Sequence, residues 1–197
     1  MKKNLLIAVL YTVVTTVILG VVYPFLVLGL ARLWSNQANG QLITKNGVVM
    51  GSRIIAQPFT GAGYFHPRPS AAGNNGYAAD NSAASNLGPT NQKLVDRVKT
   101  DVATLQAENP GKPVPVDLVT TSGSGLDPDI TPAAADFQVL RVARARGVPE
   151  EQLRELVKQH TQPRQFGFLG EERVNVLELN LALDESYSKK TSSLAQK

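Results

Sequence analysis

The chain holds two histidines and no cysteine. Thiol nucleophiles, Cys-ligated zinc and lipid attachment through cysteine are therefore excluded, while the redox compartment stays open. His66 and His160 each lack a second His at helical ligand spacing, so no metal set is expected. Serines are plentiful, but no Gly-x-Ser-x-Gly elbow occurs; Ser124 stands one residue short of one. The nearest approach to a phosphate-binding P-loop is Gly111-Lys112-Pro113, where proline replaces the hydroxyl. Backbone amides of Ser122-Gly123-Ser124-Gly125, leading through Asp127 toward a helix start, form a candidate loop for an anion or part of a partner. Asp127 and Asp129 would repel a phosphate there and are read as caps and turn formers. No catalytic constellation is expected.

The other candidate lies in Tyr64-Phe65-His66-Pro67-Arg68-Pro69. Two prolines among aromatics suit an extended partner surface made by Tyr64, Phe65, His66 and Arg68, with an ordinary packed loop as the rival. Arg141, Arg144 and Arg146 share one segment, and Arg154 and Lys158 stand four apart on the next. With Glu150, Glu151 and Glu155 nearby, these read as a solvated face.

Positioning begins with the N-terminus. From Leu5 to Leu30 no residue is charged. As a helix this run covers about 39 Å, against a hydrocarbon core of about 30 Å. A cleaved signal peptide has a shorter apolar core, although Gly29-Leu30-Ala31 resembles a cleavage site. A buried helix of a soluble protein would show a polar face. Residues 1–34 are thus expected to be a retained transmembrane helix with its flanks, bent at Pro24 and anchored by Trp34. Thr12, Thr16, Gly20 and Pro24 recur every four residues, a row of small side chains against which another helix can pack. Lys2 and Lys3 place the N-terminus in the cytoplasm and residues 35–187 outside, at the plasma (inner) membrane.

The net charge of +4 invites a nucleic-acid reading. Lys2, Lys3 and Arg32 flank the span, however, and the remainder is nearly neutral, which removes nucleic acid from the partners.

Within residues 35–187, Asn46-Gly47 predicts a hairpin turn between two short strands. Residues 60–90, rich in Gly, Ala, Asn, Ser and Pro, predict an ordered loop. A helix is expected from an N-cap at Thr90 to about Glu108, with Leu94, Val98, Val102 and Leu105 in one stripe. Val114, Val116 and Leu118 predict an edge strand, and 121–125 a flexible loop. Thr131-Pro132 opens a helix that Gly147 closes. A third starts near Pro149, with Leu153, Leu156, Val157 and His160 on one face. Residues 174–184 alternate like a strand, but leucine favours helix. Residues 188–197 are a polar C-terminal tail. The class is α+β: one N-terminal transmembrane helix followed by one mixed domain.

Seven strings occur in order from Tyr23 to Asp184: VVYPFL, QANGQLI, GSRIIAQPFTGAGYFHPRPSAAG, SNLGPTN, PVDLVTTSGSGLDPDITPAAA, RVARARGV and RVNVLELNLALD. Together they resemble the C subunit of the bacterial Kdp-type potassium-transporting ATPase. The resemblance implies a non-catalytic accessory subunit with two partners besides the lipid bilayer, a channel-like potassium-binding subunit and a P-type ATPase subunit. It also implies an extracytoplasmic domain and a chaperone-like effect that raises ATP affinity. No cofactor of its own is expected; ATP would act through the ATPase subunit, and potassium would be carried by the channel-like one. A domain outside the membrane cannot touch cytoplasmic nucleotide, so that effect would pass through the helices. Asp127 and Asp129 are expected to raise cation concentration near the pore mouth. The rival reading is a membrane-tethered sensor or solute-binding module. An envelope hydrolase would need paired carboxylates or a nucleophile–base pair.

Overall fold

The computed structural model describes residues 1–187; the tail expected at 188–197 lies outside the described residues. Two compact units divide between Met50 and Gly51.

The first unit is dominated by α1, Lys2–Ala38, one helix long and apolar enough to cross a membrane, with none of its most apolar stretch buried. Pro24 has no N–H to give the Gly20 carbonyl, and its ring would crowd that carbonyl in a regular turn. The chain answers with a π turn at Ile18–Val22, where the Tyr23 amide reaches back five residues to the Ile18 carbonyl. The expected bend is therefore a widened turn one step before the proline. A four-residue step overshoots a 3.6-residue turn, and the wider turn takes up part of that drift along the Thr12, Thr16, Gly20, Pro24 row. Thr15 sends its hydroxyl to the Tyr11 carbonyl at 2.8 Å, so it adds no bare donor to the apolar surface.

After α1 come β1, Leu42–Lys45, and β2, Val48–Ser52, paired as a two-stranded sheet. Asn46 (φ 52°) and Gly47 (φ 79°) both adopt left-handed backbone, the pattern of a type I′ hairpin turn.

In the second unit, α2 (Gln92–Glu108) is capped by Asn91, whose side chain accepts from the Lys93 amide, one residue past the expected Thr90. Its apolar stripe is only half-buried. The expected strand over Val114–Leu118 is instead a 3-10 turn at Val116–Leu118. Asp117 explains the change. Its carboxylate is buried and accepts from the Thr131 amide at 2.7 Å and hydroxyl at 3.2 Å, a long-range tie that an extended edge would break.

β3 (Asp129–Ile130) leads into α3 (Pro132–Arg146), which opens on Thr131 accepting from the Ala134 amide and closes on left-handed Gly147. α4 (Glu150–Gln159) packs against it, burying Leu153, Leu156 and Val157. β4 (Thr161–Gln162) and β5 (Arg173–Asn175) complete an antiparallel sheet ordered β3-β5-β4, with Val174 opposite both Ile130 and Thr161. α5 (Val176–Ser186) begins at once, because the Asn175 side chain accepts from the Glu178 amide and caps it. The 174–184 run is therefore strand for its first residues and helix beyond. One apolar core joins Phe65, Ile130, Val139, Val142, Leu153, Val174, Leu179 and Leu183. The class is α+β.

Candidate functional site

Phe65 reaches that core from the long loop, and its backbone is held like a strand. The buried side chain of Asn180, on α5, accepts from the Phe65 amide and donates to its carbonyl, both at 2.9 Å. One residue on, Gln138 of α3 accepts from the His66 amide at 2.8 Å and donates to its carbonyl at 3.1 Å. Two side-chain amides thus replace the two ladder neighbours that the loop lacks. Buried backbone groups require such partners.

Arginines complete the clamp. Arg141 donates to the carbonyls of Ala62 at 2.8 Å and Tyr64 at 2.9 Å, and pairs with Glu108 at 3.1 Å. Arg146 donates to the Gly63 carbonyl at 2.7 Å, pairs with Asp184 at 2.8 Å and lies over the Tyr64 ring at 4.6 Å. The Tyr64 hydroxyl donates to Asp184 at 3.1 Å. Arg141 and Arg146 are therefore not the solvated face expected of them; the carbonyl-rich loop draws them inward. Arg154 does behave as expected, pairing with Glu150 at 2.6 Å, and also meets Asp136 at 3.0 Å.

Further along, Arg68 pairs with Asp127 at 2.9 Å, and the Tyr77 hydroxyl donates to the Arg68 carbonyl at 2.8 Å. Burial pushes the Tyr77 phenol up to about 12. Ser70 donates to the Gly125 carbonyl at 2.6 Å and accepts from the Tyr77 amide at 2.8 Å. Burial pushes the His66 imidazole below its ordinary value. The positive Arg141 adds to this, while the Gly61 carbonyl, 3.1 Å from Nε2, works against it.

Of the expected surface Tyr64, Phe65, His66 and Arg68, the Phe65 ring is 0% exposed and belongs to the core. His66 lines a cleft of about 510 Å³ with Pro67, Pro69, Arg97, Asp101 and Thr104. Among the described residues Arg97 Nε, shielded from water, has no acceptor.

The Ser122–Asp127 segment is tied down, not flexible throughout. The Ser124 carbonyl accepts from the Ala83 amide at 3.0 Å and the Ser82 hydroxyl at 2.9 Å, while the Ala56 amide donates to the Leu126 carbonyl at 2.9 Å. Gly125 has φ +69°, and a Cβ there would stand 2.4 Å from the Ala83 carbonyl oxygen, so glycine is required. The Gly125 and Leu126 amides are engaged within the loop, leaving Gly123 and Ser124 as its exposed part. Asp129 pairs with Arg173 at 3.0 Å and accepts from Asn175, also at 3.0 Å. With Asp127 bound to Arg68, these carboxylates are engaged by cations of their own chain, which removes the basis for a cation-gathering role. Burial raises the Asp129 carboxyl, partly offset by Asn175 and Arg173.

Two exposed features escaped the sequence reading. A turn closed by reciprocal Gln165–Leu169 bonds, each 2.9 Å, presents Phe166 and Phe168, 87% and 71% exposed. Two phenylalanines around Gly167 in a polar stretch were the available signal. The hairpin, too, carries its apolar residues outward.

Such surfaces belong to a protein that works in contact with others, and the comparisons agree. A family described as "K+-transporting ATPase, c chain", or KdpC, matches residues 5–185. The chain belongs to the KdpC family. A relative from Koribacter versatilis, the KdpC subunit of a potassium-transporting ATPase, is 68% identical over 93% of this chain and 95% of its own length. Relatives of the same name from Acidobacterium capsulatum and Rhodospirillum rubrum are 55% and 58% identical, over 91% and 87% of this chain and 97% and 90% of theirs. The matched residues take in both the membrane-length helix and the clamped loop.

Proposed function

We propose that this chain is a non-catalytic accessory subunit of a potassium-transporting ATPase, joining a channel-like potassium-binding subunit to a P-type ATPase subunit. The observation that carries this reading is the KdpC family match over residues 5–185. In this reading α1 spans the inner membrane and packs on partner helices through Thr12, Thr16, Gly20 and Pro24. Lys2 and Lys3 hold the N-terminus in the cytoplasm, and the domain stands outside. The cleft wall around Tyr64, His66 and Arg68 and the exposed Ser122–Asp127 loop face partners there. Any rise in ATP affinity is transmitted through helices, because nucleotide and domain lie on opposite sides of the bilayer.

Purification of the tagged full-length chain in mild detergent tests the reading. Two polytopic partners should elute with it; elution alone would refute it. For orientation, a Ser82→Cys variant should react with an impermeant maleimide in intact cells, and labelling only after lysis would reverse the topology. A tethered solute-binding module remains the second reading. It draws on the 510 Å³ cleft and the unmatched Arg97 Nε, and it predicts a domain that works without partners.

A further inference from the structure

The β1–β2 hairpin is built of residues that water does not reward. Leu42 is 54% exposed, and the adjacent Val48 and Val49 are 61% and 56% exposed. Successive side chains on a strand point to opposite faces. Val48 and Val49 therefore open apolar surface on both sides of the same ribbon, which a sheet half-buried on its own core does not do. The sheet holds only these two strands, so among the described residues each keeps one edge unpaired by a strand. An isolated two-stranded hairpin is marginal in water. Something else covers it.

We infer that the β1–β2 hairpin is a docking element that inserts between surfaces of another protein subunit of the transporter. Three physical arguments select that occupant. Hydrocarbon is excluded, because an unpaired strand edge leaves its N–H and C=O groups without partners in lipid, at several kcal/mol each. A protein can pair such an edge and close over both faces. The hairpin also begins at Leu42, directly after α1 ends at Ala38, with at most about 14 Å of chain between them. It is thus continuous with the helix that enters the bilayer and shares its neighbours. The tip supplies Lys45, Asn46 and Gly47, a polar end suited to water at the rim. The Phe166–Phe168 turn is as apolar, but its Gln165, Gly167, Phe168 and Leu169 amides are bonded within the turn. It does not discriminate lipid from protein.

This inference rests on the chain being a transporter subunit, and the test separates the two. The tagged full-length chain is purified from membranes as wild type, as Val48→Glu with Val49→Glu, and with a photo-reactive phenylalanine at position 49. Wild type should recover its partner subunits, and the glutamate variant should recover at least about tenfold less, the loss expected of a buried hot spot. Its melting temperature should match wild type, since the altered side chains are exposed. The photoprobe should join a partner subunit. Recovery equal to wild type would overturn the inference, as would adducts confined to lipid or to a second copy of this chain. A wild-type chain that recovers no partner refutes the subunit reading itself.

Discussion

Residues 61–77 are mostly glycine, alanine, asparagine and proline, yet Phe65 and Ala72 lie fully inside the domain. Residues 42–50 carry leucine, isoleucine, valine and methionine, yet Leu42, Val48 and Val49 stand open. Composition alone predicts the reverse. The difference lies in what happens to backbone polar groups. The loop enters the interior because Asn180, Gln138, Arg141 and Arg146 supply the hydrogen bonds a sheet would otherwise provide. The hairpin completes its own turn but has no third strand and no core beneath it, so its burial is left to another molecule.

The comparison breaks most visibly at Asn180. Asn180→Leu keeps the volume and strips the Phe65 amide and carbonyl of their partners in a fully buried place. Each orphaned group costs about 1–3 kcal/mol, so unfolding in denaturant should show about 3 kcal/mol lost or more. A loss below about 1 kcal/mol would mean that the loop is held by its apolar residues alone. Arg146→Met comes next, at about 2–3 kcal/mol. The arginine side chain is 2% exposed, but its partner Asp184 is 40% exposed and can recover water. A Tyr64→Leu double-mutant cycle would isolate the stacking share.

Two glycines sharpen the contrast between space and backbone. Gly125 and Gly147 are both left-handed, with φ +69° and φ +67°, but a Cβ at Gly147 meets nothing within 4 Å. Gly147→Ala should cost about 1 kcal/mol, from backbone strain, and Gly125→Ala clearly more, about 2–3 kcal/mol. Equal losses would show that the Gly125 contact relaxes freely.

A smaller effect is expected from pH. The folded His66 pKa lies below its ordinary 6.5, so the unfolded chain binds a proton that the folded chain refuses. Stability from this group is complete above 6.5 and falls as pH drops toward the folded value. His66→Gln should flatten that slope in unfolding measured between pH 7 and about 5; an unchanged slope would assign it elsewhere. Smallest of all, Phe166→Ser with Phe168→Ser should move stability by less than about 0.5 kcal/mol, since both rings are exposed.

The parts legible in the sequence were those whose chemistry is local. Thr131-Pro132, Gly147 and Asn46-Gly47 work through their own neighbours, and each stands where expected. The strand expected at Val114–Leu118 failed because Asp117 answers to Thr131, fourteen residues away. The clamp was illegible for the same reason on a larger scale: Asn180 meets Phe65 across 115 residues and Gln138 meets His66 across 72. Nothing in an arginine's spacing tells whether it will face water or a carbonyl-rich loop, which is how Arg141 and Arg146 were misjudged. The membrane-length helix needed no tertiary context.

Hydrogen–deuterium exchange on the full-length chain, alone in detergent and within its purified complex, tests the contrast most directly. Amides of residues 61–77 should be protected in both states, and those of residues 42–52 should exchange rapidly alone and slow at least tenfold in the complex, about 1.4 kcal/mol of added protection. Equal exchange of the hairpin in the two states, or an unprotected 61–77 loop, would contradict it.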